Sequence, residues 1–166
     1  LAALTTPPWQ IVANLPYNIA TPLLLGWLGQ ADKFTRITVL VQKEVAERLA
    51  APPGGKNYGR LAVAAQWRCR VRLLFDIGPK AFVPPPKVTS TLVELEPRDR
   101  PLAEADPAKL ERVTAAAFNQ RRKMLRTALK SIWPNADAKL TEAGIDPTRR
   151  AETLTIEEFC ALAQQL

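Results

Sequence analysis

Histidine is absent from the 166 residues. Without an imidazole the chain cannot build a Ser-His-Asp triad, a histidine general base or a histidine-ligated zinc site. Its two cysteines, Cys69 and Cys160, are too few for a disulfide scaffold and fit no metal-ligand spacing. No stretch approaches the ~20 apolar residues of a membrane helix. We therefore expect a cytoplasmic protein with two buried thiols, no metal and no membrane segment.

Methionine and acidic side chains are scarce as well. Methionine occurs once, at Met124, and the chain opens on Leu1, so we expect a fragment of a longer protein. Asp and Glu number 16 against 23 Lys and Arg, which gives a net charge of +7. A composition of 47% hydrophobic and 23% charged residues is typical of a globular chain. The positive excess favours a polyanionic partner such as nucleic acid.

The order of hydrophobic patterns predicts two modules. Strands are predicted at Trp9–Ala13, Arg36–Val41, Arg70–Ile77 and Val88–Leu95, and helices begin near Thr21, Gln42 and Tyr58. After Pro97 and a charged linker the pattern is helical only, with one helical stretch from Pro107 to Leu129. A second helix ends before Gly144, and a third starts at Thr155 with a capping-box pattern. We therefore predict an α/β unit over residues 1–97 and a small helical domain over 98–166.

The segment Asn14-Leu15-Pro16-Tyr17 follows the first predicted strand, where ligands bind in an open α/β sheet. Asn14 carries an amide oxygen, and Pro16 has a fixed φ that helps to hold the Leu15 carbonyl in place. The Tyr17 ring can stack on a flat heterocycle. Two acceptors and a stacking face match the exocyclic amino group of a base, with its lone pair turned toward an electrophile. The segment indicates methyl transfer to an amine without a general base; the alternative is an Asx turn with a tyrosine packed on the sheet.

Together with this segment, several stretches in order resemble the ribosomal RNA adenine dimethyltransferases, which use S-adenosylmethionine. They span nearly the whole chain: Ile11–Leu25, Val41–Leu49, Tyr58–Leu61, Phe82–Ser90, Ala117–Leu129 and Asp146–Phe159. The last two are more similar to the branch that acts on small-subunit (16S) rRNA than to the antibiotic-resistance branch. The resemblance implies the C-terminal half of a Rossmann-like methyltransferase sheet, small-subunit rRNA or the pre-30S particle as partner, and a role in ribosome biogenesis.

The resemblance also implies roles for single residues. Asn14 and the Leu15 carbonyl, set by Pro16, would hold the N6 amino group of the target adenine, and Asn14 would also touch the methyl donor. Tyr17 would stack on the flipped base and Phe82 would close its other face, because N6 cannot be reached inside a stacked helix. For Phe82 the alternative is a core phenylalanine beside a proline turn.

The cofactor side of that family's site is missing. A complete member begins with a Gly-rich loop after the first strand and an acidic residue after the second, whereas Gly54-Gly55 follows a helix. We expect the isolated chain to bind S-adenosylmethionine weakly or not at all. The strand Trp9–Ala13 would lose its partner, and its open edge invites self-association.

Basic residues form a run without an acidic neighbour. The predicted RNA contacts are Arg121, Arg122, Lys123, Arg126 and Lys130, joined by Lys87 near the site. On a continuous helix Arg122 and Arg126 would share a face, as would Lys123 and Lys130; the alternative is a solvated helix face. Arg68, Arg70, Arg72 and Lys80 bind RNA or protect an edge strand. Arg149 and Arg150 either cap a helix or bind RNA.

Three alternative functions can be inferred from these residues. The first is N6,N6-dimethylation of adenines in small-subunit rRNA, and the second is an RNA-binding ribosome assembly factor in which methylation is secondary or absent. An intact Asn14-Leu15-Pro16-Tyr17 segment favours the enzyme, since a pure binder needs no clamp for an amino group. The third is a DNA amino-methyltransferase, which Asn14 argues against because those enzymes tend to have an acidic residue there.

Overall fold

The computed structural model describes residues 6–166. Its strands and α-helices in chain order are β1 (Trp9–Asn14), α1 (Ala20–Leu28), β2 (Phe34–Gln42), α2 (Lys43–Leu49), α3 (Arg60–Arg68), β3 (Cys69–Ile77), β4 (Ser90–Pro97), α4 (Pro107–Asn119), α5 (Leu125–Ala128), α6 (Ala136–Glu142) and α7 (Ile156–Gln164). The strands and the first three helices are mixed along the chain up to β4, and among the described residues only helices follow. The predicted fold class is confirmed.

The four strands form one mixed sheet in the order β1-β2-β4-β3. β1 runs parallel to β2, and β4 runs antiparallel to both β2 and β3. The carboxyl ends of β1, β2 and β3 and the amino end of β4 therefore meet along one side, which we call the site edge. Within residues 6–166, β1 pairs on one side only, and Val12 in its middle is 76% exposed.

Two hydrophobic clusters hold the fold together, and α3 contributes to both. The first lies between the sheet and helices α1 to α3, with Ile37, Val39, Val93 and Leu95 fully buried. The second lies among α4 to α7 and contains Phe159 and Leu129. From α3, Leu61 and Ala65 face the first cluster, while Ala62, Val63 and Trp67 belong to the second. A helix with apolar residues on two faces thus joins the sheet to the helical part.

The charged linker is attached to the end of α3. The Trp67 indole nitrogen donates to the Ala103 carbonyl at 2.8 Å, and the Leu102 amide donates to the Trp67 carbonyl at 3.0 Å. The Arg98 amide donates to the Arg68 carbonyl at 2.8 Å. These bonds set the path of the chain between sheet and helices. The division into domains at residue 97 stays a prediction.

The prediction of one helical stretch from Pro107 to Leu129 is wrong. Helix α4 ends at Asn119, the chain turns, and α5 begins at Leu125. Tertiary partners replace the helical hydrogen bonds here: the Leu125 amide donates to the Arg149 carbonyl at 2.7 Å, and Met124 forms a β-bridge with Arg150. Arg122 and Arg126 would lie on one helix face, and Lys123 and Lys130 on another, only if the helix were continuous. Because the helix is interrupted, this prediction is wrong as well.

Both cysteines are free, as expected, and fully buried. Burial raises the pKa of the Cys69 thiol to about 12 and that of Cys160 to about 11. Both therefore stay as neutral thiols packed in the core. Among residues 6–166, none of the helices has the length and hydropathy of a membrane span.

Candidate active site

The end of β1 presents two hydrogen-bond acceptors. Asn14 is the last residue of the strand and is exposed, and its side chain makes no hydrogen bond with another residue in 6–166. The Leu15 side chain is 5% exposed, and its amide donates to the Leu40 carbonyl at 3.1 Å. Over the same residues the Leu15 carbonyl accepts no hydrogen bond. The buried Leu15 thus anchors the loop, and neither acceptor has a hydrogen-bond partner in the described part of the chain.

Pro16 and Tyr17 begin the turn that leads into α1. The Pro16 carbonyl accepts a hydrogen bond from the Ile19 amide at 3.1 Å, which closes the turn just before Ala20. Tyr17 is 39% exposed, so part of its ring is open to a ligand. Its hydroxyl lies 3.1 Å from the hydroxyl of Ser90 at the start of β4. The ring is therefore tethered at its hydroxyl and partly exposed, which leaves room for stacking on a flat ligand.

Phe82 lies in the loop between β3 and β4, which starts at the site edge. Its amide donates to the Pro79 carbonyl at 3.2 Å, and its side chain is half-buried and belongs to neither hydrophobic cluster. Val83 beside it is fully exposed, and so is much of Lys87 further along the loop. The placement at a rim matches the expectation for Phe82, and its contact with a base stays a prediction.

Charged and hydroxyl side chains brace the site edge. The Lys43 ammonium donates to Asp76 at 2.6 Å, and the Thr91 hydroxyl donates to the same carboxylate at 2.7 Å. The hydrogen bond from Lys43, joined by that from Thr91, holds the pKa of Asp76 below its ordinary value. This group connects the first residue of α2 with both strands at the far side of the sheet. Sequence reasoning missed it, since its members are separated along the chain.

The Arg121 side chain connects two loops of the protein. Its guanidinium donates to the carbonyls of Tyr58 at 2.5 Å, Lys56 at 2.8 Å and Gly55 at 3.3 Å. These bonds join the turn after α4 to the loop before α3. Arg121 is half-buried. Three of its five N–H donors are engaged by these carbonyls, which makes Arg121 the least accessible of the predicted RNA contacts.

The other residues of the basic run remain exposed, and they are Arg122, Lys123, Arg126 and Lys130. They lie on the turn after α4, on α5 and just behind it. Asp146 lies close enough for the Arg126 charge to help, after the hydrogen bonds from Thr148, to lower the pKa of its carboxyl. The fold thus brings one acid near a run that has none in sequence.

The arginine at the end of α3 and those on the sheet lie next to carboxylates. Arg68 lies 3.8 Å from Asp32, and Arg70 lies 3.6 Å from Glu96. Glu94 is nearly buried and pairs with Arg72 and, at 3.4 Å, with Arg36. The hydrogen bond from Arg72 lowers the pKa of the Glu94 carboxyl against the opposing effect of burial. Since β3 is an edge strand, Arg70 and Arg72 fit the edge-protection alternative better than RNA binding.

Arg149 is the anchor of the loop before α7. Its guanidinium bonds both carboxylate oxygens of Glu158, at 2.5 and 3.0 Å, and the Thr153 carbonyl at 2.6 Å. Burial opposes ionisation of Glu158, but the bonds from Arg149 and the Thr155 amide outweigh it and lower the pKa. Arg149 is thus engaged at the helix start, whereas Arg150 is exposed.

Asn14, at the end of β1, is the residue expected from the sequence to touch the methyl donor, and that contact stays a prediction. Gly54 and Gly55 lie after α2, and the Gly54 amide donates to the Glu152 carbonyl at 2.6 Å, on the helical side. They do not form a glycine-rich loop after a strand, in agreement with the expectation from the sequence.

Comparison with known proteins finds a family model and relatives that all carry the names of rRNA-modifying enzymes. The family model described as ribosomal RNA adenine dimethylase matches residues 4–166. The chain is 58% identical over 164 residues to ribosomal RNA small subunit methyltransferase A of Rhodospirillum rubrum, covering 99% of this chain and 57% of the relative. It is 59% identical to the protein of that name from Paramagnetospirillum magneticum, covering 99% of this chain and 58% of the relative. The chain therefore spans somewhat over half the length of these relatives.

Solved structures share the fold. A dimethyladenosine transferase from Plasmodium falciparum matches with a TM-score of 0.79 and 24% identity, over 94% of this chain and 66% of that one. The 23S rRNA methyltransferase ErmE matches with a TM-score of 0.64 and 24% identity, over 98% of this chain and 68% of that one. At this identity the likeness concerns the fold, which is the Rossmann-like class expected from the motifs.

Proposed function

Because the chain belongs to the ribosomal RNA adenine dimethylase family, we propose that it forms the target-adenine side of a small-subunit rRNA N6,N6-dimethyltransferase acting in the cytoplasm on the pre-30S particle. The main support for this proposal is the arrangement of residues at the end of β1. Among residues 6–166, two acceptors on Asn14 and Leu15 make no hydrogen bond, and they lie next in sequence to the partly exposed Tyr17.

In the proposed reaction, no general base has to activate the amino group. The two N–H groups of the adenine N6 donate to the Asn14 amide oxygen and the Leu15 carbonyl, and its lone pair points away from both. Tyr17 and Phe82 hold the extruded base between them, which offsets part of the cost of unstacking it. S-adenosylmethionine, when bound, supplies an electrophilic methyl group. As the bond from N6 to the methyl carbon formed, the bond from that carbon to sulfur would break and the sulfur would leave as a neutral thioether. The proton that N6 releases would pass to solvent.

This chain covers 57% of the length of the relative from Rhodospirillum rubrum. We call a protein of that length that contains this chain the longer protein. We propose that the residues holding the rest of the cofactor lie in its remaining two-fifths. We propose that the chain alone binds S-adenosylmethionine weakly or not at all. No metal takes part in the proposed reaction.

For RNA binding, we expect Arg122, Lys123, Arg126 and Lys130 to contact phosphates. Replacing Arg122 and Lys123 with glutamine in the longer protein is expected to weaken binding to small-subunit rRNA and flatten its salt dependence. The log–log slope falls by roughly 0.7 to 0.9 for each phosphate that the protein no longer neutralises. Fluorescence anisotropy at several salt concentrations measures the slope.

The matched control replaces two exposed lysines elsewhere, Lys33 and Lys109, and removes the same charge. An equal loss of slope in the control would assign the effect to net charge. An unchanged slope in the first variant would make the basic run a solvated surface.

We further propose that the chain, taken alone, associates with a second copy through the open edge of β1. An unpaired strand edge beside the exposed Val12 favours pairing with another strand. Light scattering on the purified 166 residues is expected to give at least a dimer. Replacing Val12 with lysine should shift the chain toward monomer. A monodisperse monomer at all concentrations would contradict the proposal.

A further inference from the structure

A buried hydroxyl lies behind the proposed base platform. Ser90 is 1% exposed at the first position of β4. Its Oγ lies 3.1 Å from the Tyr17 hydroxyl, across 73 positions of sequence. Within residues 6–166, Tyr17 is the only side chain in hydrogen-bond contact with it. A buried hydroxyl without a partner is costly, so Ser90 draws the Tyr17 hydroxyl to one place.

Ser90 is itself held on a rigid part of the fold. It pairs in the sheet with Gln42 of β2 on one side and Ile77 of β3 on the other. Next to it, Thr91 is fixed by its bond to Asp76. The Lys43 amide donates to the Thr89 carbonyl at 3.0 Å on the preceding residue. The hydroxyl that meets Tyr17 is therefore placed by strands on both sides.

Tyr17 needs such a restraint. It lies in an exposed turn where Pro16, Asn18 and Ile19 are all open to solvent. A partly exposed aromatic ring in a turn changes rotamer readily, and stacking on a base requires one orientation. The bond to Ser90 selects that orientation before RNA arrives.

We propose that Ser90 is a positioning residue, which acts through the Tyr17 hydroxyl to hold the ring ready for the target adenine. The inference rests on the proposed function, because it gives the Tyr17 ring a base to stack on. Ser90 does not touch the substrate. Its effect therefore belongs to the rate of methyl transfer and not to the affinity for rRNA, which phosphate contacts dominate.

The experiment is a double-mutant cycle in the longer protein, with Ser90→Ala, Tyr17→Phe and both together. Each single change removes the same hydrogen bond, and Tyr17→Phe keeps the stacking ring. We expect each to lower kcat by roughly fivefold to tenfold, the worth of one net hydrogen bond. The KM for rRNA stays within about twofold, since the phosphate contacts are intact. The double variant is no slower than either single one, because there is one bond to lose.

A matched control removes a buried hydroxyl of the helical part that makes no hydrogen bond with Tyr17 or Ser90. Thr114 is 4% exposed in α4 and donates to the Leu110 carbonyl at 2.9 Å. Thr114→Val is expected to leave kcat unchanged. A second readout uses ¹⁹F NMR of the longer protein labelled with 3-fluorotyrosine, in which Tyr17→Phe and Tyr58→Phe identify the signals of these two residues. Ser90→Ala should shift the signal of Tyr17 and not that of buried Tyr58.

The outcomes separate this inference from the proposed function. If Ser90→Ala and Tyr17→Phe keep the wild-type kcat while Tyr17→Ala loses activity, Ser90 does not position the ring and the stacking role stands. The inference would also be overturned if the fold-losses of kcat in the two single variants multiplied in the double variant, because Ser90 would then act independently of the Tyr17 hydroxyl. If Tyr17→Ala methylates rRNA at the wild-type rate, the proposed base site itself is wrong.

Discussion

Replacing Asn14 with alanine is expected to lower rRNA methylation by the longer protein at least about a hundredfold, the cost of removing one hydrogen-bonding group aimed at a reacting centre. Asn14 is exposed and its side chain bonds no other residue in 6–166. The change should therefore spare folding. Methyl incorporation into unmodified small-subunit rRNA measures the effect, and anisotropy should show unaltered RNA affinity.

Asn135→Ala is the matched control. Asn135 is also exposed, and its side chain makes no capping bond to α6. It is expected to methylate normally. Unchanged methylation by the Asn14 variant would remove the catalytic assignment. An absence of methylation by the wild type, with RNA binding retained, would favour the assembly-factor alternative.

Replacing Trp67 with alanine is expected to have the largest effect on stability, a loss of about 3–5 kcal/mol in the free energy of unfolding. Trp67 is 5% exposed in the helical cluster, and its indole holds the linker through Ala103. Because α3 also packs on the sheet, both clusters should unfold in one transition. Chemical denaturation followed by far-UV circular dichroism measures the change.

Trp67→Phe provides the graded comparison, since it keeps most of the apolar area and removes the indole N–H. Its loss should lie well below that of the alanine variant. Two separate unfolding transitions, of which Trp67→Ala shifts only that of helices α4 to α7, would contradict the view that α3 joins the two hydrophobic clusters.

The strands and several helix ends could be predicted from local signals. The apolar run before Asn14 is β1, and the pattern at Thr155 is a capping box in which the Thr155 hydroxyl and the Glu158 carboxylate each accept a backbone amide. Gly144 takes the positive φ of +71° that ends α6. These features depend on a few neighbouring residues, and the sequence contains all of them.

The missed features depend on distant partners. The break after Asn119 follows from Arg121 reaching the carbonyls near Tyr58, and helical propensity alone gives no sign of it. Strand β4 starts at Ser90 and not at Val88, which is 42% exposed. The bond between Ser90 and Tyr17 has no local signal either. Residues of the candidate site could be named from sequence, but their supports required the fold.

The most direct test of the proposed activity is the mass of the RNA product. The longer protein is incubated with S-adenosylmethionine and unmethylated small-subunit rRNA, and the digested nucleosides are analysed by mass spectrometry. The account predicts N6,N6-dimethyladenosine from the wild type and its near absence from Asn14→Ala. Unmodified adenosine after treatment with a folded wild-type protein that binds both the cofactor and the RNA would contradict it.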